Sequence, residues 1–167
     1  MREFDFLPYE KAIEAMAREY AKVRPIKPII EDIPDLKEKI PEYNSFLILE
    51  NIYCFNLEMI MLLRQLRFRI TRSELLDQIY QLIDLKTEIA ERLESVYHKA
   101  SDKCHESPAV NRMTIPQILR RLLYIESYII HNAKQLENDY LDLSGIEQEE
   151  LKASVILDNI VLIITSL

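Results

Sequence analysis

Arg92 and His98 close the run Arg92-Leu93-Glu94-Ser95-Val96-Tyr97-His98. Those two residue types suit chemistry on phosphate. A histidine titrates near neutrality and can give or take a proton. An arginine holds phosphate oxygens in pairs and steadies the charge that develops there. A second group could grip phosphate without cutting it. Arg64, Arg67, Arg69 and Arg72 place four guanidinium groups within nine positions, with Phe68 among them. A third group carries metal-ligand types. His98, Cys104, His105 and Glu106 could converge on one point, but they lack the CxxC or HxxxH spacing of a zinc site. No metal or cofactor is expected.

The Arg92 to His98 run resembles the active-site motif of HEPN-domain ribonucleases, in which an arginine and a histidine share a bundle helix with a short spacer between them. The resemblance implies metal-independent RNA cleavage. His98 would serve as general acid and base, Arg92 would stabilise the phosphorane, and two copies would meet across a dimer. The match covers seven residues of 167. It departs from the family at Leu93, where a polar residue is usual. The competing reading is a solvated helix end, where a basic side chain suits the helix dipole.

The remaining chemistry is limited by absence. Glu88, Glu91 and Glu94 repeat every third position, and Glu126 has no Glu-x-x-His partner, so a ferritin-like di-iron site lacks its signature. Glu50 and Glu58 lie on a mostly apolar segment without the paired carboxylate motifs of the all-α nucleotide pyrophosphohydrolases. All of these read as partly solvated stripes. One glycine in the chain cannot build a P-loop, a dinucleotide fingerprint or a nucleophile elbow. Cys104 beside His105 is adjacency, not a catalytic pair. Cys54 reads as a core residue.

The elements that must position these groups are helical. Pro8 to Val23 has helical spacing, and Arg24 to Pro34 holds three prolines that favour an extended strap. A long helix is expected from Pro41 to about Ile70, with Asn44, Asn51, Glu58, Gln65 and Arg72 as a narrow polar stripe. Thr71 to Glu74 reads as a capping box opening a helix to about Ala100. Lys86 interrupts its seam, where the stem could lie along the core and the ammonium reach water. Ser101 to Met113 reads as a loop. Thr114 and Gln117 read as a second box, opening a helix to about Leu143. Ser144 to Glu147 reads as a third, with Gly145 supplying the turn after the preceding helix. Short joints at 71 and 144 imply antiparallel neighbours. The expected fold is therefore all-α: an up-and-down antiparallel bundle of four main helices (41–167), with an N-terminal helix and strap (1–40), in a single domain (1–167).

Composition narrows the class further. Lys plus Arg is 21 and Asp plus Glu is 28, a formal net charge of −7, which disfavours non-specific nucleic-acid binding. The arginine cluster is expected to face the acidic run Glu137, Asp139, Asp142, Glu147, Glu149 and Glu150. The longest apolar stretch, Phe46 to Leu63, has 14 apolar residues of 18, but its Glu50, Asn51, Asn56 and Glu58 argue for a core helix over a membrane span. The acidic start, Met1 to Asp5, does not read as an export signal. Two cysteines 50 positions apart suggest no disulfide framework and a reducing compartment, so the cytoplasm is the expected location. Nine tyrosines, the largely apolar helix from Pro41 and an apolar last helix point to a surface for protein partners. The expected function is non-enzymatic: protein–protein interaction as an adaptor, an immunity-type inhibitor or an assembly subunit, with self-association. The alternative is the HEPN-like ribonuclease using Arg92 and His98.

Overall fold

The computed structural model describes residues 36–98, 100, 104 and 110–166, with side chains from 41 onward. The expected N-terminal helix and strap lie outside the described residues. Within these limits the chain is all-α, with no strand among the described residues. Helix α1 spans Leu36–Arg69, α2 Ser73–Val96, α3 Ile115–Asn132 and α4 Ile146–Thr165, with short 3₁₀ turns at Val110–Arg112 and Ala133–Leu136.

Helix α1 starts ahead of Pro41 and carries that proline inside it. Most of its apolar side chains are taken up by the bundle, with Met61 and Phe68 left exposed. It packs on α2, on α3 and on the 133–136 turn, and Phe46, Leu49, Ile52, Met59, Leu62, Leu63 and Leu66 are fully or almost fully buried. Each such side chain contributes about 1.5–3 kcal/mol of transfer free energy. The stretch Pro41–Arg69 is long and apolar enough to cross a membrane by length and composition, yet 56% of its most apolar window is buried inside the bundle. The polar stripe lies along α3. Asn51 Nδ2 donates to the Tyr128 hydroxyl (3.3 Å), and Arg121 donates two hydrogen bonds to Glu58 (2.7 and 3.0 Å).

Two of the three expected capping boxes do not form. Helix α2 begins at Ser73, and its N-cap is Arg72 in an extended conformation with no side-chain cap bond. Thr71 stands one position too early to cap. The helix stops at Val96, because Tyr97 turns to extended backbone. Helix α4 is preceded by Gly145 with φ 83°, again without a side-chain cap. A side chain there would be strained by the backbone alone. The box at α3 does form: Thr114 Oγ1 accepts from the Gln117 amide (3.3 Å), and Gln117 Oε1 accepts from the Thr114 amide (2.8 Å).

Helix α3 ends at Asn132, well before Leu143. Asn138 redirects the chain. Its Oδ1 accepts from the amides of Tyr140 (2.9 Å) and Leu141 (3.2 Å), and its Nδ2 donates to Gln135 O (2.7 Å) and Ser45 Oγ (3.0 Å). An asparagine that bonds its own backbone two and three residues on builds a turn. Leu136, Leu141 and Leu143 stay buried, so the apolar pattern is satisfied without a continuous helix.

Side-chain pairs fix the directions. Tyr53 meets Glu94, Phe46 meets Tyr97 and Arg67 meets Tyr80, so α1 and α2 run antiparallel. Glu58 meets Arg121, and Asn51 meets Tyr128, so α1 and α3 also run antiparallel. Helices α2 and α3 are therefore parallel. The expected reversal at every joint fails between them, where the connection from Tyr97 to Thr114 is long enough to return along the bundle. Three of its described residues touch α1 on the way. Cys104 is disulfide-bonded to Cys54, and the Asn111 and Met113 carbonyls accept from Arg69.

Candidate functional site

Four polar side chains, one from each helix, converge in the middle of the bundle. Asn56 of α1, Lys86 of α2 and Glu150 of α4 are fully buried, and Glu126 of α3 is nearly so. Lys86 Nζ donates to Glu150 Oε2 at 2.7 Å and stands 3.2 Å from Glu126 Oε2. Asn56 Nδ2 donates to Glu150 Oε1 (3.1 Å) and to Ile52 O (2.9 Å). Glu150 is thus held on both oxygens. Glu126 is close to the ammonium, but neither of its oxygens has a well-directed hydrogen bond, and Asn56 Oδ1 also lacks one.

The charges do not balance. One ammonium faces two carboxylates, an excess of one negative charge in a site without water contact. Burial raises the affinity of Glu126 for a proton, the negative charges of Glu150 and Asp158 add to this, and Lys86 opposes it. The net result is a carboxyl held above the usual carboxylate range. The sequence reading sent the Lys86 ammonium to water and Glu150 to an exposed acidic run. Both are corrected by the structure. The seam position of Lys86 was visible in the sequence. The matching signal for Glu150 was its place on the face of Ile146, Ala153 and Leu157, all of which are buried.

The cysteines are corrected too. Cys54 and Cys104 form a disulfide with Cα atoms 5.3 Å apart, within the ordinary range. The cysteine ground for a reducing compartment is removed. A ligand set with Cys104 as a thiolate is removed with it, while His105 and Glu106 lie outside the described residues. Among the described residues no group of three or more His, Cys, Asp or Glu is placed to hold a metal ion.

Arg92 lies beside a cleft of about 850 Å³, lined also by Ser95, Val96, Asn138, Asp139, Tyr140, Leu141 and Asp142. Its guanidinium donates to the Ser144 carbonyl and pairs with Glu149 at 3.3 Å. His98 follows the extended Tyr97, past the end of α2, and is not among the cleft's lining residues. Of the other carboxylates, Glu94 Oε2 accepts from the Tyr53 hydroxyl at 3.2 Å. Burial, with Glu94 second, raises the pKa of that phenol. Glu88 and Glu91 stay exposed on the outer side of α2, and Glu50 is buried.

The arginine cluster and the acidic run do not meet. Because α3 is antiparallel to α1, its C-terminal end and the segment after it lie at the N-terminal end of α1, where Asn138 touches Ser45. Arg64 to Arg72 lie at the opposite pole. There Arg67 stacks between Phe68 (4.7 Å) and Tyr80 (5.3 Å), Arg69 donates to the Asn111 and Met113 carbonyls, and Arg72 lies 3.9 Å from exposed Glu74. Arg64 is exposed. Along α3, Arg121 bonds Glu58 and stacks over Phe55 (5.8 Å) and Tyr124 (5.3 Å). The Glu58 bond holds its guanidinium above the ordinary arginine value. No known family model, curated protein or solved structure matches this chain.

Proposed function

We propose that this chain is a non-enzymatic helical-bundle protein that acts through protein–protein interaction and associates with itself, as an assembly subunit does. The observation that carries this reading is the set of large apolar side chains left exposed on the outside of the bundle. Phe68 is 72% exposed, Leu162 64%, Val155 61% and Tyr124 61%. Val155 and Leu162 are seven residues apart, so they share the outward face of α4. Tyrosine, phenylalanine and arginine are the types that interfaces concentrate, and Arg121 and Arg67 both stack on exposed rings. Most of the apolar excess of α1 goes into the bundle core, and what it leaves outside is Phe68 and Met61.

The ribonuclease alternative asks for an Arg92 guanidinium open to phosphate, whereas that group donates to the Ser144 carbonyl and pairs with Glu149 at 3.3 Å. The non-enzymatic reading is therefore preferred. Size-exclusion chromatography with light scattering over a wide dilution series tests it. The expected result is a mass that rises with concentration. A single-chain mass at every concentration overturns the reading.

A further inference from the structure

The two ends of the bundle differ in charge and in shape. One end gathers the C-terminal turns of α1, the first turns of α2 and α3, and the last turn of α4. Among the described residues its arginines are Arg64, Arg67, Arg69, Arg72 and Arg112, against two carboxylates, Glu74 and Asp77. Phe68 projects from this end as the most exposed large apolar side chain among the described residues, with Arg67 stacked on its ring. The other end holds the 850 Å³ cleft between α2 and the 138–142 segment. Val96, Tyr140 and Leu141 give that cleft apolar walls. Asp139 and Asp142 give it negative charge, and the one cation among its described lining residues, Arg92, is already paired with Glu149. A volume of this size is in the range that accepts a bulky side chain or small ligand.

Resting on the self-association reading, we propose that the basic end of one copy docks into the acidic cleft of the next, with Phe68 as the inserted side chain and Arg64 and Arg72 facing Asp139 and Asp142. Three features select a second copy as the occupant. The knob and the cleft are on the same chain, their charges are complementary, and they lie at opposite ends, so one copy cannot satisfy both within itself. A contact of this kind is heterologous: the two partners use different surfaces, and assembly continues unless the rotation closes a ring. The rim charges set encounter rate and salt sensitivity, and the aromatic anchor sets lifetime. A chain with net charge −7 and a basic end of this size could also meet a nucleic acid, and the test separates the two.

Two variants of the full chain carry the test. The head variant is R64S with F68S, and the tail variant is D139K with D142K. All four positions are exposed, so the core is untouched. Each variant alone is expected to associate roughly 30-fold more weakly than the wild type, the loss of one hot spot. Mixed, they are expected to form a one-to-one dimer that grows no further, since only the tail variant's intact head can enter the head variant's intact cleft. If the wild type associates and both variants associate equally well, this docking mode is overturned while self-association stands. If the wild type is a single chain at all concentrations, the self-association reading itself fails. If the wild type binds a single-stranded oligouridine and loses that binding in the head variant without any self-association, the basic end serves nucleic acid and the proposal is overturned.

Discussion

Replacing Lys86 by methionine removes the only cation among the described residues of a site that holds Glu150 and Glu126 out of water. The stem is conserved in length, so little packing is lost. What remains is Glu150 held by Asn56 alone (3.1 Å) and Glu126 with no counter-charge. Breaking a buried ion pair from one side costs about 3–5 kcal/mol, because the survivor stays buried and uncompensated. For a domain of this size about 1 kcal/mol moves the unfolding midpoint by roughly 2–4 °C, so Lys86→Met should lower Tm by roughly 6–20 °C. The assay is thermal unfolding followed by circular dichroism at neutral pH, with urea titration as a second measure. Removing the acids as well should recover the loss. The triple change Lys86→Met, Glu126→Gln and Glu150→Met should return to within about 1 kcal/mol of the wild type or exceed it, since apolar replacements of a buried ion cluster are often neutral or stabilising. A Lys86→Met variant as stable as the wild type, or a triple variant no better than the single one, would refute the buried quartet as described.

Glu126 makes stability depend on pH with a definite sign. Its folded pKa is raised above the unfolded carboxylate value of about 4.3, so its contribution is fully present below that value and is lost as pH rises through the folded pKa. Glu126→Gln should flatten that loss, and urea midpoints measured from mildly acid to mildly alkaline pH should converge less for wild type than for the variant. The Cys54–Cys104 bond closes a loop of 50 residues in sequence separation, which in the chain-entropy account stabilises by about 4 kcal/mol. Cys104→Ser, or reduction, should lower the urea midpoint accordingly, while thiol alkylation of the unreduced, unfolded protein should find no free cysteine. Thr114→Ala removes the bond to the Gln117 amide and should cost about 1 kcal/mol, read as an earlier unfolding midpoint with no change in mass.

The legible part of the fold is the part that local pattern controls. Four long helices, their apolar seams and the Thr114–Gln117 cap all follow from spacing within one segment. The two absent caps aside, the failures share a cause: they were decided by residues far away in sequence. Periodicity shows Lys86 on a seam but cannot tell a snorkelling ammonium from one met by Glu150, 64 residues later. Glu150 looked like one acid among six because neighbours in sequence suggested neighbours in space. The early end of α3 depends on Asn138 reaching Ser45, 93 residues away. The direction of α3 was open because a connection as long as Tyr97 to Thr114 permits either a reversal or a return along the bundle. That single ambiguity placed the arginine cluster beside the acidic run, when the two lie at opposite ends. The expected run of α2 to about Ala100 also stops short, because Tyr97 turns to extended backbone after Val96.

The most direct test of the account is the molar mass of the wild-type chain by sedimentation equilibrium, at low and at high salt. Association between a basic end and an acidic cleft predicts a mass above that of one chain at low salt, which falls toward one chain as salt screens the rim charges. A single-chain mass in both conditions would contradict self-association, and a larger mass indifferent to salt would contradict the assignment of its contact to the two charged ends.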